Sequence, residues 1–368
     1  MKVWTSTMSK KLFICIMFVA ALLLIYVMFT FKFNIQPVEV HGKIFIRSDG
    51  SVVPSTAPIK REGDVYVFTD DIINNSIVVE RSNVEIDGAG HKLQGLGFLN
   101  GTGFDLKNVK GVTIKRVKIS EFYWGVHMYL CSYCMLLENE MSNNAYGIFV
   151  SWSNNSIITG NQVMNNKGGG IYLASSLNFS VEKNTVTFNS YYGIRLASSH
   201  NCTVVENLVE NNKGTCIYLV LSSNNNIIHH NNFVNNTKAY ADEKAYSNVW
   251  DEGYPSGGNY WSDYTGVDVK SGPYQNEADN DGIGDTPYII DENNTDHYPL
   301  MNPYWLPGDV NHDLKIDIYD VVRITGVYGS EQGDLNWNPH SDIAEPYGII
   351  NIYDVVTCTK DYRKEYAP

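Results

Sequence analysis

Three observations predict an all-β fold for this chain, a solenoid of short strands. A glycine followed by an alternating apolar run recurs at Gly103, Gly125, Gly147, Gly170 and Gly193, with Cys216 in the sixth place, at spacings of 22, 22, 23, 23 and 23 residues. Between these marks the apolar segments are short and broken by Asn and Ser turns, and none is periodic over enough residues for an amphipathic helix. The third observation is composition: 39 Asn, 30 Gly and 25 Tyr among 368 residues belong in turns and strands rather than in helix interiors. Six cysteines are too few for a disulfide scaffold of this length, so a hydrophobic core has to hold the fold. A net charge of −13 argues against nucleic acid as a partner and is compatible with divalent cations.

The first element is an apolar run, Leu12 to Phe31. Its length, about 20 uncharged residues, just spans a hydrocarbon core at 1.5 Å per residue. Lys2, Lys10 and Lys11 precede it. The sequence therefore predicts a basic cytoplasmic tail over 1–11, a single transmembrane anchor over 12–31 that contacts the membrane (or a signal sequence, if cleaved), and an extracytoplasmic remainder. Asn-x-Ser/Thr triplets starting at Asn74, Asn100, Asn154, Asn178, Asn201, Asn235 and Asn293 fit a glycosylated surface protein.

Residues 34–240 hold the coils. Stacked coils place equivalent residues about 4.8 Å apart, so each alignment column becomes a ladder along the axis. The period of two sends inward the columns Phe104, Val126, Ile148, Ile171, Ile194, Ile217 and Leu106, Met128, Val150, Leu173, Leu196, Leu219. Two further inward columns are Ile114, Leu136, Ile158, Val181, Val204, Ile228 and Ile119, Met141, Val163, Val186, Val209, Phe233. Asn144, Asn166, Asn189, Asn212 and Asn236 are expected to form an asparagine ladder at a left-handed turn.

These units, with the stretch NVEIDGAGHKLQG at 83–95 and WDEGYPSGGNYWSDY at 250–264, resemble NosD-like proteins built from PbH1 repeats. The resemblance covers about Gly42 to Leu300 and implies a right-handed parallel β-helix. For function it implies periplasmic copper binding, or carbohydrate binding and sugar hydrolysis, a division that fold alone does not resolve.

The column two places after each glycine faces solvent: Asp105, His127, Phe149, Tyr172, Arg195 and Tyr218. Tyr123, Trp124, Tyr146, Tyr191 and Tyr192 stand beside it, completing an aromatic strip about 25 Å long. Aromatic faces that stack on pyranose rings make His127, Phe149, Tyr172, Arg195, Tyr218, Trp124, Tyr146 and Tyr192 the candidate glycan-binding residues. The alternative is that the rings only pack on one another across the sheet. Catalysis needs paired carboxylates, or a Ca²⁺-binding acid cluster with a basic proton acceptor, on one face, yet Asp105 and Arg195 lie four coils apart, roughly 19 Å, and Asp87 in the DGAG turn reads as structural. Copper has less support: His229 and His230 are adjacent and point to opposite faces unless they lie in a turn, and Cys131 with Cys134 forms a lone CxxC.

Residues 241–302 carry thirteen acidic side chains against two lysines and are expected to cap the β-helix, with Asp279, Asp281 and Asp285 as a candidate Ca²⁺ turn. After a linker at 303–307, Asp309, Asn311, Asp313, Lys315 (through its carbonyl), Asp317 and Asp320 occupy EF-hand loop positions, although Leu314 replaces the usual Gly. The string IDIYDVV recurs as INIYDVV at 350–356, so 308–368 resembles a type I dockerin domain. That resemblance implies small α-helices, Ca²⁺ as cofactor and a cohesin-like protein partner; the second loop, with Ala344 and Pro346 at donor positions, reads as degenerate. The expected protein is a membrane-anchored, cell-surface β-helix that binds polysaccharide and docks through a Ca²⁺-dependent module. A lyase, glycoside hydrolase or epimerase on the same scaffold is the alternative, and a copper-delivery protein the third.

Overall fold

A computed structural model of the protein describes residues 42–304, 308, 310, 316–331, 334, 341, 343–344, 348–360 and 362. Short strands wind into a parallel solenoid with three faces, formed by sheets of ten, nine and nine strands. Each strand pairs with its equivalent one coil away: Trp124–Tyr129 lies beside Thr102–Lys107 and Tyr146–Ser151, with Val126 opposite Phe104 and Ile148. The second sheet contains Val112–Lys115 and Met135–Leu137, and the third Lys118–Ser120 and Glu140–Ser142. Antiparallel pairing within these sheets is confined to the N-terminal end, where Gly42–Ile46 meets Val52–Val53 and Ile59–Glu62 meets Val65–Phe68.

All four inward columns lie in one continuous core, and every member is at most 3% exposed. The repeat glycine is explained by close approach. A Cβ at Gly147 would meet Val163 Cγ1 at 2.3 Å and the Gly170 carbonyl at 2.8 Å, and Gly170 and Gly193 are crowded by their own next coils in the same way.

Side-chain amides tie the corners. At the corner after the third sheet, the Asn144 amide N–H donates to Asn166 Oδ1 (3.0 Å), and Asn166 Nδ2 donates to Asn189 Oδ1 (2.9 Å) and to the Met141 carbonyl (3.1 Å). The ladder residues themselves are not left-handed. That conformation belongs to the residue before each, at Asn143, Asn165, Phe188, Asn211 and Asn235. A second ladder joins the second and third sheets through Asn139, Asn161, Asn184, Asn207, Asn231 and Asn259. Its left-handed neighbours are Glu138, Gly160, Lys183, Glu206 and His230, one before each of the first five ladder asparagines, and Arg116 holds the same place one coil earlier, before Val117.

Beyond the last coil, Trp250 and Trp261 are buried and Trp261 stacks between Phe233 (4.6 Å) and Tyr288 (4.3 Å). The hairpin of Tyr288–Asp291 with Asn294–Asp296 closes this layer. The second asparagine ladder ends here on a carboxylate: Asp296 Oδ2 accepts the Asn259 amide N–H at 2.8 Å and Trp261 Nε1–H at 2.8 Å.

The expected fold class is corrected in its helical part. Among the described residues no helix is long and apolar enough to cross a membrane, and the helices there are two of nine residues. The 12–31 segment lies outside the described residues. Helices α1 (Ile318–Gly326) and α2 (Ile352–Lys360) share a small core of Val310, Ile316, Ile324, Ile350 and Cys358. Each helix starts with the same device: Asp317 caps Tyr319 and Asp320 returns to the Asp317 amide, while Asn351 caps Tyr353 and Asp354 returns to the Asn351 amide.

Two predictions follow from the ladders. Replacing Asn166 with Ala strands the Asn144 amide and removes two donors, so Asn166→Ala should destabilise by about 3 kcal/mol in denaturant melts, against under ~0.5 kcal/mol for exposed Lys167→Ala; equal effects would contradict the ladder. Burial pushes the Asp296 carboxyl up to about 7, over the opposing pull of its donors, whereas an unfolded Asp titrates near about 3.9. The folded state therefore holds the proton more tightly between these values, and this contribution to stability is lost as pH rises through that window. Melting temperature of the wild type, relative to Asp296→Asn, should fall from about pH 4 to about pH 7; a pH-independent difference would refute it.

Candidate functional site

The outward column of the first sheet is in register: Asp105, His127, Phe149, Tyr172, Arg195, Tyr218 and then Tyr240 lie opposite one another in successive strands. The side chains stack along the axis. His127 and Phe149 stack with nearly parallel planes at 5.3 Å, and Phe149 meets Tyr172 at 5.1 Å. Trp124 lies 4.8 Å from His127 and 5.3 Å from Phe149. The Arg195 guanidinium sits 4.6, 5.7 and 5.3 Å from the rings of Tyr172, Tyr192 and Tyr218.

This stacking changes which residues face water. His127 and Tyr192 are buried, while Trp124, Tyr146, Phe149, Tyr172, Arg195 and Tyr218 are half-buried. At the upper half of the strip His127 Nδ1 lies 3.3 Å from Asp105, which also pairs with Lys107 at 2.9 Å. Burial alone would raise the Asp105 carboxyl, but the hydrogen bonds from His127 and Lys107 win and hold it below the usual range. The strip's one acid is therefore committed within the strip.

The lower half is open. Tyr191, Tyr192, Gly214, Thr215, Tyr218 and Tyr240 line a hollow of about 250 Å³, the scale of one sugar ring rather than of a drug-sized ligand. Tyr191 is 62% and Tyr240 48% exposed, so each offers a ring face. Arg195 adjoins this wall, and its Nε is buried with no hydrogen-bond partner. Tyr240 and Thr215 escaped the repeat reading because the glycine mark ends at Cys216; counting one further coil from Tyr218 finds Tyr240.

A second cluster sits on another corner. His229 ends the strand Ile227–His229 and His230 occupies the left-handed turn (φ 57°) between second and third sheets. The turn condition is thus met: one ligand atom from each of His229, His230 and Glu252 lies within 4.8 Å of the others. Burial, reinforced by His230, holds the His229 imidazole below its usual range, and its Nδ1 is buried without a partner.

The remaining candidates separate. Asp279, Asp281 and Asp285 turn to backbone amides instead of converging: Asp279 accepts from Asn280, Asp281 from Ile283, and Asp285 from Val269 and Lys270. They form no metal-ligating group among the described residues. Asp317 and Asp320 serve the α1 cap; Asp309, Asn311, Asp313 and Lys315 lie outside the described residues, and no finding supports Ca²⁺ binding or a dockerin identity for this segment. Asp87 is structural, accepting from the Ala89 amide and pairing with Arg116. Cys131, Cys134 and Cys202 are buried free thiols; the hydrogen bond that Cys134 donates to Cys131, together with burial, pushes the Cys134 thiol up.

Comparison with known proteins bears on the same region. A family model described as periplasmic copper-binding protein (NosD) matches residues 98–266, just under half of the chain. No curated protein matches. Among solved structures, the periplasmic alginate epimerase AlgG is 16% identical with TM-score 0.42, over 48% of this chain and 46% of its own. A mutant DFA-IIIase from Arthrobacter chlorophenolicus A6 bound to DFA-III is 15% identical with TM-score 0.35, over 45% and 44%. The catalytic domain of a GH87 α-1,3-glucanase is 13% identical with TM-score 0.27, over 59% and 37%. The chain thus spans less than half the length of these structures. For the metal that the family model's description implies, the residues that fit are at the His229 corner, where a buried imidazole nitrogen lacks a partner.

Because Phe149 stacks on His127, Trp124 and Tyr172, Phe149→Ala should destabilise the fold by about 1–2 kcal/mol. An unchanged unfolding midpoint would show that the upper strip does not stabilise the sheet.

Proposed function

We propose that the protein is an extracytoplasmic β-helix scaffold that binds a glycan in the hollow of the first sheet. The observation that carries this reading is the pair of exposed ring faces, Tyr191 and Tyr240, flanking a recess the size of one sugar ring. A pyranose presents an apolar C–H face and a rim of hydroxyls. The tyrosine rings suit the face, while Thr215, the tyrosine hydroxyls and the edge of the Arg195 guanidinium suit the rim. The upper strip, from His127 to Tyr172, acts in this reading as the packed wall that sets the hollow's position.

Among the described residues the hollow is lined by no carboxylate. Two-carboxylate glycoside hydrolysis therefore has no acid and base at this place, and binding is the activity its geometry favours over turnover.

A glycan array probed with the chain should give a defined set of hits. Tyr191→Ala combined with Tyr240→Ala should weaken the best hit at least about tenfold, since ring faces of this kind contribute on the order of 1–2 kcal/mol each. Unchanged affinity in that double variant, with the fold intact by circular dichroism, would sink the reading. Release of reducing or unsaturated sugar ends from a bound polysaccharide would replace it with the enzymatic alternative.

A further inference from the structure

The corner between the second and third sheets carries chemistry independent of the glycan hollow. Along this corner the left-handed place is held in turn by Arg116, Glu138, Gly160, Lys183, Glu206 and His230. Histidine tolerates that conformation better than most residues. Its effect here is to bring the rings of His229 and His230 together, with centroids 4.6 Å apart and planes at 89°.

The tautomer of the neutral His230 ring is set by its surroundings. Its Nε2 lies 2.9 Å from the Ser256 carbonyl, which can only accept, so Nε2 carries the hydrogen and Nδ1 keeps its lone pair. That Nδ1 is 4.0 Å from Glu252 Oε2. The His230 ring lies flat on Tyr304, 4.0 Å away at 4°. Asn232 holds the Tyr304 backbone from both sides, at 2.6 and 2.8 Å. Ser256 Oγ donates to Glu252 Oε2 at 2.6 Å and steadies the carboxylate. A histidine whose second nitrogen is anchored to a backbone carbonyl, with its ring clamped, is how proteins orient a metal-binding imidazole.

The geometry points to a mononuclear site for a divalent transition ion, held by His229, His230 and Glu252. Two neutral imidazoles and one carboxylate suit Zn²⁺ or Cu²⁺, whereas Ca²⁺ and Mg²⁺ need oxygen-rich shells. Ligand atoms on a tetrahedral ion at about 2.0–2.1 Å stand roughly 3.3 Å from one another. Closing to that distance from within 4.8 Å asks for a small rotation of Glu252, the exposed member of the three. An ion there neutralises the carboxylate beside the two imidazoles and leaves a coordination position open to solvent.

The test is calorimetric titration of the EDTA-treated full chain with ZnSO₄ and, separately, CuSO₄, alongside CaCl₂ and MgCl₂. One transition ion per chain is expected, with a rise in melting temperature and no heat from Ca²⁺ or Mg²⁺. His229→Ala and Glu252→Gln should each weaken binding at least about 10–100-fold, the loss seen when even an outer-shell partner is removed. Glu252 is on the surface, so Glu252→Gln tests the site in a folded protein even if His229→Ala unfolds. Absence of binding by both ions, or wild-type affinity in Glu252→Gln, overturns the assignment. Glycan affinity unchanged by the ion, with the metal bound, separates this site's fate from that of the hollow.

Discussion

The solenoid and both candidate sites on it depend on in-register parallel stacking. Each strand bonds to its own equivalent one coil away, so each side chain meets its own counterpart above and below. A column must therefore be compatible with itself. Apolar columns become a continuous core, amides become chains of hydrogen bonds, and outward aromatics become stacks. A one-residue slip would exchange inward and outward columns at once, so the register is strongly specified.

The same constraint explains why the two candidate sites lie where they do. In mid-solenoid a ring is covered by the ring of the next coil, as Phe149 is by Tyr172. Near the C-terminal end the repetition weakens: the glycine mark gives way to Cys216 and the left-handed corner receives His230. There Tyr191 meets Tyr192 edge-on and Tyr240 meets Tyr218 at a tilt, so both rings stay largely exposed, and among the described residues His229 Nδ1 has no hydrogen-bond partner. Binding chemistry collects where the ladder stops satisfying itself.

That rule also sets what was legible in the sequence. The inward columns could be read from period two and a 22 to 23 residue repeat because burial is dictated by the backbone. The exposure of outward rings could not. His127 and Tyr192 are buried because their neighbours lean over them, a packing outcome that spacing does not encode. The second asparagine ladder stands in the sequence as the column Asn139, Asn161, Asn184, Asn207 and Asn231. The left-handed residue stands one place before each asparagine of the first ladder, at Asn143, Asn165, Phe188, Asn211 and Asn235. His229 and His230 looked divergent under strand rules and converge because the second is at a corner, which alignment of His230 with Glu206 and Lys183 would have revealed. Asp279, Asp281 and Asp285 had the right spacing for a cation, yet nearby backbone amides claim them first.

The ladder that ends on Asp296 also gives the molecule an electrical direction. Along this ladder each Asn oxygen accepts from the preceding coil, while its Nδ2 donates both back to a carbonyl of that coil and onward to the side-chain oxygen of the next coil's ladder residue. Sheets have little net dipole of their own, but these side-chain dipoles all point one way and add, as peptide dipoles do in a helix. Their positive end arrives at Asn259, and there the next acceptor is a carboxylate, which takes hydrogen bonds and passes none on. The solenoid therefore has a chemically defined last coil: an asparagine at 296 would present further amide donors to a layer that continues the ladder no further, whereas Asp296 ends it on oxygens that accept from Asn259, Trp261 and the Tyr298 amide.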